Sequence, residues 1–333
     1  MIGFDIGGTK CAVTVGRETD GRLVVESKRQ IPTDHTASPY ELLDRMCALA
    51  REQTDDFDVI GISCGGPLNS ADGVILSPPN LPGWDNVRIV NFLEERFGCR
   101  AYLQNDANAC AVAEWKYGAG VGMNNMVFMT FGTGLGAGLI LNGRLYSGAS
   151  DMAGEVGHIR LERFGPSGYG KIGSFEGFCS GGGLAELGRM YAKEAFQKGI
   201  TVSYCENPTE TDKITAKKIA DCANAGATDA LGIFDVCAER LGMGLSIIID
   251  ILNPEAIIIG SIFQRCEGLL RRRAEEIIKK EALAASADVC KILPAKLGDS
   301  IGDYAALSVA AMNRKSGWHR AGNGDKQTNF IGV

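Results

Sequence analysis

The sequence predicts an α/β protein of two lobes that face a shared cleft. Three observations carry this. The segments GFDIGGTKCAVTV near the start and MTFGTGLGAGLIL in the middle share one form: an apolar run, a Gly/Thr turn and a returning apolar run. A unit used twice points to two halves built on one plan. Apolar runs elsewhere alternate with stretches of helical periodicity. Finally, 333 residues exceed the size at which one hydrophobic core usually stops growing.

Taken in order, Met1–Ile6 and Cys11–Val15 read as strands around the turn Gly7-Gly8-Thr9, and Arg22–Ile31 as a third strand. Tyr40–Gln53 carries Leu42, Leu43, Met46 and Leu49 at helical spacing. Val59–Ser63 is a buried strand running into Cys64-Gly65-Gly66-Pro67, and a loop rich in Pro and Asn precedes a helix over Val87–Arg96. A strand at Ala101–Gln104 leads into Asn105-Asp106 and a helix toward Lys116. After the second strand–turn–strand, the chain is mainly helical: Ala216–Asn224, Asp229–Leu252 and Leu269–Ala285, with a strand at Ala256–Ile259. This divides the chain into a lobe over 1–108 and a larger one over 109–299. A helix near 300–315 would return to the first lobe, and 316–333 would form a polar tail.

Composition excludes several classes. No run approaches the ~18 apolar residues of a membrane span, and Met1 leads straight into a strand-like run, so neither a transmembrane segment nor a signal peptide is expected. A net charge of −6 argues against nucleic acid as partner. The 11 cysteines never stand in CxxC spacing and read as reduced thiols of a cytoplasmic protein. Glycine is the outlier: 44 residues is about twice the usual share of ~7%, which calls for backbone wrapped closely around a ligand.

The motifs say which ligand. In Asp5-Ile6-Gly7-Gly8-Thr9-Lys10 a side-chain-free turn lets backbone N–H groups close on phosphate oxygens, Thr9 adds a hydroxyl, and Asp5 can hold hydrated Mg²⁺. The GxxxxGK[ST] spacing of a Walker A loop is absent. Thr130-Phe131-Gly132-Thr133-Gly134 repeats the device from the other half, and two such loops make a clamp for a polyphosphate. Asp106 stands between a strand and a helix. On the residues alone it reads more readily as an N-cap than as a base that takes the proton of an attacking hydroxyl, with Asn105 beside it as another cap or as a contact for neighbouring hydroxyls. Gly154-Glu155-Val156-Gly157-His158 sets a carboxylate and an imidazole three residues apart, an arrangement suited to vicinal hydroxyls, whereas Glu176 alone is uninformative. Gly168-Tyr169-Gly170-Lys171-Ile172-Gly173 matches GxGxxG, but its polar flanks and the lack of a preceding strand count against a dinucleotide site.

Together these segments resemble the ROK family of sugar kinases and repressors, a branch of the hexokinase–actin superfamily. The likeness runs from Phe4 through Gly181 and returns at Asn253–Ser261. Its most specific part is Gln104–Glu114 followed by Thr130–Gly138 and Gly154–His158. It implies a two-lobed ribonuclease H-like ATPase fold, a homodimer, and Asp106 as the base. It places Asn80, Asn105, Glu155, His158 and Glu176 on the sugar, with Gly66 as a further sugar-side candidate. Gly8, Thr9 and Thr133 would hold the phosphates of ATP, joined by Asp5, Gly7, Lys10, Gly132 and Gly134 of the two hairpins, and Gly260 would line the adenine pocket. The implied reaction is ATP- and Mg²⁺-dependent phosphorylation of a hexose or N-acetylhexosamine, at the 6-hydroxyl.

The chain departs from the family at one module. ROK kinases usually carry CxCGxxGCxE, whose thiolates bind zinc together with the histidine of GEVGH. Here Ser167, Tyr169 and Ser174 stand in place of the three cysteines, so no zinc is expected. ROK repressors place a helix-turn-helix before the first phosphate loop. Only four residues precede Asp5 here, which sets the expectation against a sugar-responsive regulator. A sugar-binding protein without catalysis is the other alternative, and intact Asp5, Asp106 and both hairpins weigh against it.

Overall fold

The computed structural model describes residues 1–314; the tail expected over 316–333 lies outside the described residues. The first part of the chain builds β1 (Ile2–Ile6), β2 (Lys10–Thr19), β3 (Arg22–Pro32), α1 (Pro39–Gln53), β4 (Val59–Cys64), the short pair β5 (Leu68–Asn69) and β6 (Val74–Ile75), α2 (Ile89–Phe97) and β7 (Arg100–Asn105). Then follow α3 (Asp106–Tyr117), β8 (Met126–Phe131), β9 (Leu135–Leu141), β10 (Arg144–Tyr146), β11 (Ser167–Gly168), β12 (Lys171–Ile172), α4 (Phe175–Phe178), α5 (Gly181–Gln197), α6 (Ala216–Asn224) and α7 (Thr228–Leu252). The chain closes with β13 (Ala256–Ile259), α8 (Ile262–Arg265), α9 (Glu267–Glu281), α10 (Ala284–Val289), β14 (Lys291–Pro294) and α11 (Ile301–Asn313).

The two main sheets repeat one topology. The first runs β3-β2-β1-β4-β7 and the second β10-β9-β8-β13-β14. In each, the strand before the Gly/Thr turn pairs antiparallel with the strand after it and parallel with a later one. The parallel strands β4 and β13 are buried along their whole length, because helices cover both faces. On the first sheet α1 supplies Leu42, Leu43, Met46 and Cys47 to the core. Its start is fixed by a capping box in which Ser38 and Glu41 satisfy each other's backbone N–H, with Pro39 in the first turn.

The opposite face of that sheet is closed by α11, which packs on β1, β2 and β4. Glycines make room for it: a Cβ at Gly61 would stand 2.0 Å from the Ala306 carbonyl oxygen, and one at Gly3 2.9 Å from the Ala306 Cβ. On the second sheet α3 lies equally close, since a Cβ at Gly138 would stand 2.5 Å from the Ala111 Cβ. Ala109 of α3 packs with Ala305 and Val309 of α11, so the two helices are sandwiched between the sheets. The carboxyl ends of β1, β4, β7 and β8 all lead into residues at one cleft, where open α/β sheets bind ligands.

The structure differs from the sequence reading in several elements. The helix read over Leu269–Ala285 ends at Glu281, and a separate α10 begins at Ala284, after Leu283 N–H donates to Asp250 Oδ1 (2.9 Å). The strand read over Leu139–Leu141 starts earlier, at Leu135. Helix α5 and strands β10 and β14 went unread.

Candidate functional site

Each hairpin is held from behind, so its turn faces the cleft. In the first, Thr33 Oγ1 donates to the Gly7 carbonyl (2.6 Å) and Thr33 N–H to the Thr9 carbonyl (3.0 Å). Gly8 is required by a neighbour: a Cβ there would stand 2.5 Å from the Asn80 carbonyl oxygen. In the second, Gly132 N–H donates to Gly134 O (3.1 Å). The amino end of α5 supports it from outside, with Gly181 N–H donating to Gly132 O (2.7 Å) and Gly182 N–H to Thr133 O (3.4 Å). Glu176 Oε2 accepts the Leu135 N–H (2.9 Å), and Gly134 passes so close that a Cβ would lie 2.8 Å from that oxygen. Glu176 thus fixes the second hairpin.

At the end of β7 the capping role falls to Asn105. Its Oδ1 accepts the N–H groups of Ala107 (3.0 Å) and Asn108 (3.3 Å). Asp106 begins the helix proper. Its Oδ1 accepts the Ala107 N–H (2.8 Å), while Oδ2 is turned toward Gly65, 4.0 Å from the place a Cβ would take there. Solvent reaches this carboxylate from the cleft, and protein surrounds it on its other sides. The loss of hydration raises its pKa, against the opposing pull of the Ala107 N–H.

The cleft holds more negative charge than positive. Desolvation first, then repulsion from Asp106, raises Asp5 to about 6. Asp303 of α11 adds to the repulsion, while the Ser63 hydroxyl and Lys28 oppose it. Glu155 is raised as well, by desolvation and then by Asp106 and Glu176, with His158 pulling the other way. Of these groups Asp106, Glu155, Glu176 and His158 border a cavity of about 830 Å³. Gly8, Thr9, Gly66 and Asn80 line it from one lobe. Asn105 and Asp106 stand at its floor, and Gly132–Gly134, Glu155, His158 and Glu176 line the other side. Two Gly/Thr hairpins opposed across a cleft, with a raised carboxylate between them, are the kinds of group that phosphoryl transfer calls for.

A family model described as the ROK family matches residues 1–312. The chain belongs to the ROK family. A glucokinase of Halalkalibacterium halodurans is 31% identical, over 90% of this chain and 92% of its own length. One of Thermotoga maritima is 28% identical over 93% and 96%. A xylose repressor of Caldicellulosiruptor bescii is 30% identical over 78% of this chain and 64% of the repressor. Among solved structures, a ROK family glucokinase from Streptomyces griseus, in complex with glucose and AMPPNP, superposes with a TM-score of 0.74 at 28% identity, covering 94% of this chain and 99% of that one. The fold is therefore the two-lobed α/β architecture of ROK hexokinases. Among the described residues no helix is long and apolar enough to cross a membrane.

Most sequence-derived candidates of this ROK chain meet at the cavity. Gly7, Lys10 and Asp5 lie at the base of the first hairpin, outside the lining itself. Gly260 also stands apart: it is buried at the end of β13, where Phe128 and Ala295 would be in van der Waals contact with a Cβ. Its neighbour Ser261 comes closer, since its Oγ lies 3.7 Å from the place of a Cβ on Gly132. Sequence reasoning missed His35, Met152 and Tyr169 on the lining, and Asp303 behind Asp5. None of them sits in a patterned segment apart from Tyr169, which lies in the GxGxxG match whose polar flanks count against a dinucleotide site. That segment forms the β11–β12 hairpin.

The loop carrying it is held by hydrogen bonds and packing. Ser174 Oγ accepts the Gly177 N–H (3.1 Å) and donates to the Gly168 carbonyl (3.4 Å). Gly173 O accepts from Leu161 (2.9 Å) and Glu162 (3.0 Å), and Phe175 is buried against Gly244. Among the described residues no three His, Cys, Asp or Glu side chains are grouped as ligands for a metal ion.

Proposed function

We propose that this protein is an ATP-dependent sugar kinase that phosphorylates a hexose or N-acetylhexosamine, with the 6-hydroxyl as the attacking group. The observation that carries the reading is the division of labour at the start of α3. Asn105 caps the helix, which leaves the Asp106 carboxylate turned toward the cleft with a raised proton affinity. A carboxylate so placed takes the proton of a sugar hydroxyl as it attacks phosphorus, and its raised pKa improves it as a base. Asn80, Asn105, Glu155, His158 and Glu176 orient the sugar, while the hairpin amides and the Thr9 and Thr133 hydroxyls bind the phosphates.

The donor set suits Mg²⁺ held through water and phosphate oxygens. Asp5 is half-buried and repelled by Asp106 and Asp303, with the Ser63 hydroxyl and Lys28 opposing, so a divalent ion would relieve its charge. When bound, Mg²⁺ neutralises charge on the transferring phosphoryl group. Closure of the lobes would exclude water, which competes with the sugar as acceptor. A panel of hexoses and N-acetylhexosamines assayed for sugar-dependent ADP release tests the reading. Release with none of them, together with calorimetric binding of one, would favour the alternative of a sugar-binding protein without catalysis.

Thr133→Val isolates the second hairpin. The side chain is exposed to the cleft, so the change removes one hydroxyl without disturbing the core. Calorimetry should show ATP affinity lowered by about tenfold, the worth of one hydrogen bond to a charged group, and sugar affinity within about twofold. Unchanged ATP affinity would remove the hairpin from the clamp. Gly8→Val is a coarser probe: its side chain would strike Asn80 and disturb both ligands.

We also propose that the loop over 164–176 works without zinc. A structural zinc site needs four N or S donors, and Ser167, Tyr169 and Ser174 supply none of the thiolates that would join His158. Treatment with a strong chelator, followed by restoring Mg²⁺, should leave melting temperature and sugar affinity unchanged. About one zinc per chain by elemental analysis, or unfolding on chelation, would refute this.

A further inference from the structure

The β11–β12 hairpin presents an aromatic residue where hairpin chemistry asks for a different one. Ser167 pairs with Ile172 and Gly168 with Lys171, which leaves Tyr169-Gly170 as a two-residue turn. Both turn residues have positive φ, 45° and 72°. Turns of this kind favour Asn or Asp followed by Gly, because a bulky side chain in the left-handed region is sterically costly. The strain gains nothing for the core: Tyr169 is 71% exposed. Among the described residues its hydroxyl has no hydrogen-bond partner, and its ring meets the His158 imidazole edge-on at 6.3 Å between centroids.

The ring does have a definite place. It lines the same cavity as Asp106, Glu155 and His158, and so does Met152, an apolar side chain 45% exposed. The hairpin is tied to the segments that carry the polar groups. Lys171 Nζ donates to the His158 carbonyl (2.6 Å), and Arg160 Nη1 to the Ile172 carbonyl (2.6 Å). Gly168 lies so close to Glu176 that a Cβ would stand 2.8 Å from the Glu176 Cβ. The backbone that carries Tyr169 is therefore held in a fixed relation to His158 and Glu176. A costly backbone conformation that aims an apolar surface into a polar cavity is the mark of a residue kept for its ligand.

We propose that Tyr169 is a specificity-determining surface that receives an apolar substituent carried by the sugar beside its hydroxyls. The N-acyl methyl of an amino sugar and an alkyl group on the anomeric oxygen share this chemistry. The inference rests on the sugar-kinase reading and narrows its substrate class: the chain favours a substituted hexose over the bare one.

Three sugars decide it: glucose or mannose, whichever is turned over faster, its 2-N-acetylamino derivative, and its methyl glycoside. They are compared in the parent protein, Tyr169→Phe and Tyr169→Asn, with ADP release, calorimetry and thermal melting as readouts. Asn suits the turn better than Tyr, so Tyr169→Asn should melt at or above the parent temperature. It should lower kcat/KM for the preferred substituted sugar by about tenfold or more, through KM, which is the worth of a methyl-sized contact. The bare hexose should change by less than about twofold, and Tyr169→Phe should keep the parent preference. Whichever derivative loses affinity in Tyr169→Asn identifies the substituent. Equal losses on all three sugars, a lower melting temperature, or no change would overturn the inference while leaving the kinase reading standing. A parent protein that neither binds nor phosphorylates any of the three would overturn both.

Discussion

Asp106→Asn should lower kcat by about 10²–10⁴ while sugar affinity and melting temperature stay near those of the parent, the usual worth of a positioned general base. In barrier terms this is about 3–5 kcal/mol. The structure makes the substitution unusually clean. The helix cap belongs to Asn105, so α3 does not depend on the Asp106 charge, and an amide oxygen can still accept the Ala107 N–H. What disappears is a proton acceptor aimed at the cleft. The pH profile adds a second readout. A base must be ionised to act, so parent activity should fall as pH drops through the raised pKa of Asp106. The residual activity of the Asn variant should lose the part of the acid limb that this group contributes. Near-parent turnover, or an acid limb unchanged in shape, would return Asp106 to a structural role.

What the sequence made legible, and what it hid, follows from how far each signal reaches along the chain. β4 and β13 were readable because strands buried on both faces are continuous apolar runs. The doubled topology was readable because both halves turn through Gly and Thr. Helix α5 was not, since Gly181-Gly182-Gly183 at its start looks like a loop. Those glycines serve contacts: a Cβ at Gly183 would lie 2.2 Å from the Gly177 carbonyl oxygen, and the Gly181 and Gly182 amides support the second hairpin. β14 is a short edge strand ending in Pro294, and its apolar content is too small to announce it. In the site, Asp106 and Asn105 are both good caps on paper, and only geometry separates cap from cleft-facing carboxylate. Asp303 was invisible because no pattern in the helix expected near 300–315 tells which of its residues comes to lie beside Asp5.

That placement sets up the other large effect. Asp5→Asn should make the metal-free protein more stable at about pH 7.5, by about 1–3 kcal/mol, while lowering kcat/KM by about 10² or more. The sign follows from linkage. Asp5 titrates near 6 in the folded protein and near ~3.9 in the unfolded chain, so the folded state holds its proton more tightly. Between those values folding stability falls as pH rises. It is fully retained below about 4 and lost once pH passes about 6, where the half-buried carboxylate must ionise beside Asp106 and Asp303, helped by the Ser63 hydroxyl and by Lys28, itself paired with Asp303. Asparagine stays neutral and still offers an oxygen to the Ser63 hydroxyl. The stability difference between variant and parent should therefore be large at neutral pH and vanish near pH 4, as urea titrations without divalent cations can measure. Adding Mg²⁺ with nucleotide should raise the parent's melting temperature more than the variant's, because the parent alone regains the cost of its ionised carboxylate. A variant less stable than the parent at neutral pH, or a difference that does not change with pH, would mean that Asp5 is held as a structural partner and is no reserve of charge for a metal-bound phosphate.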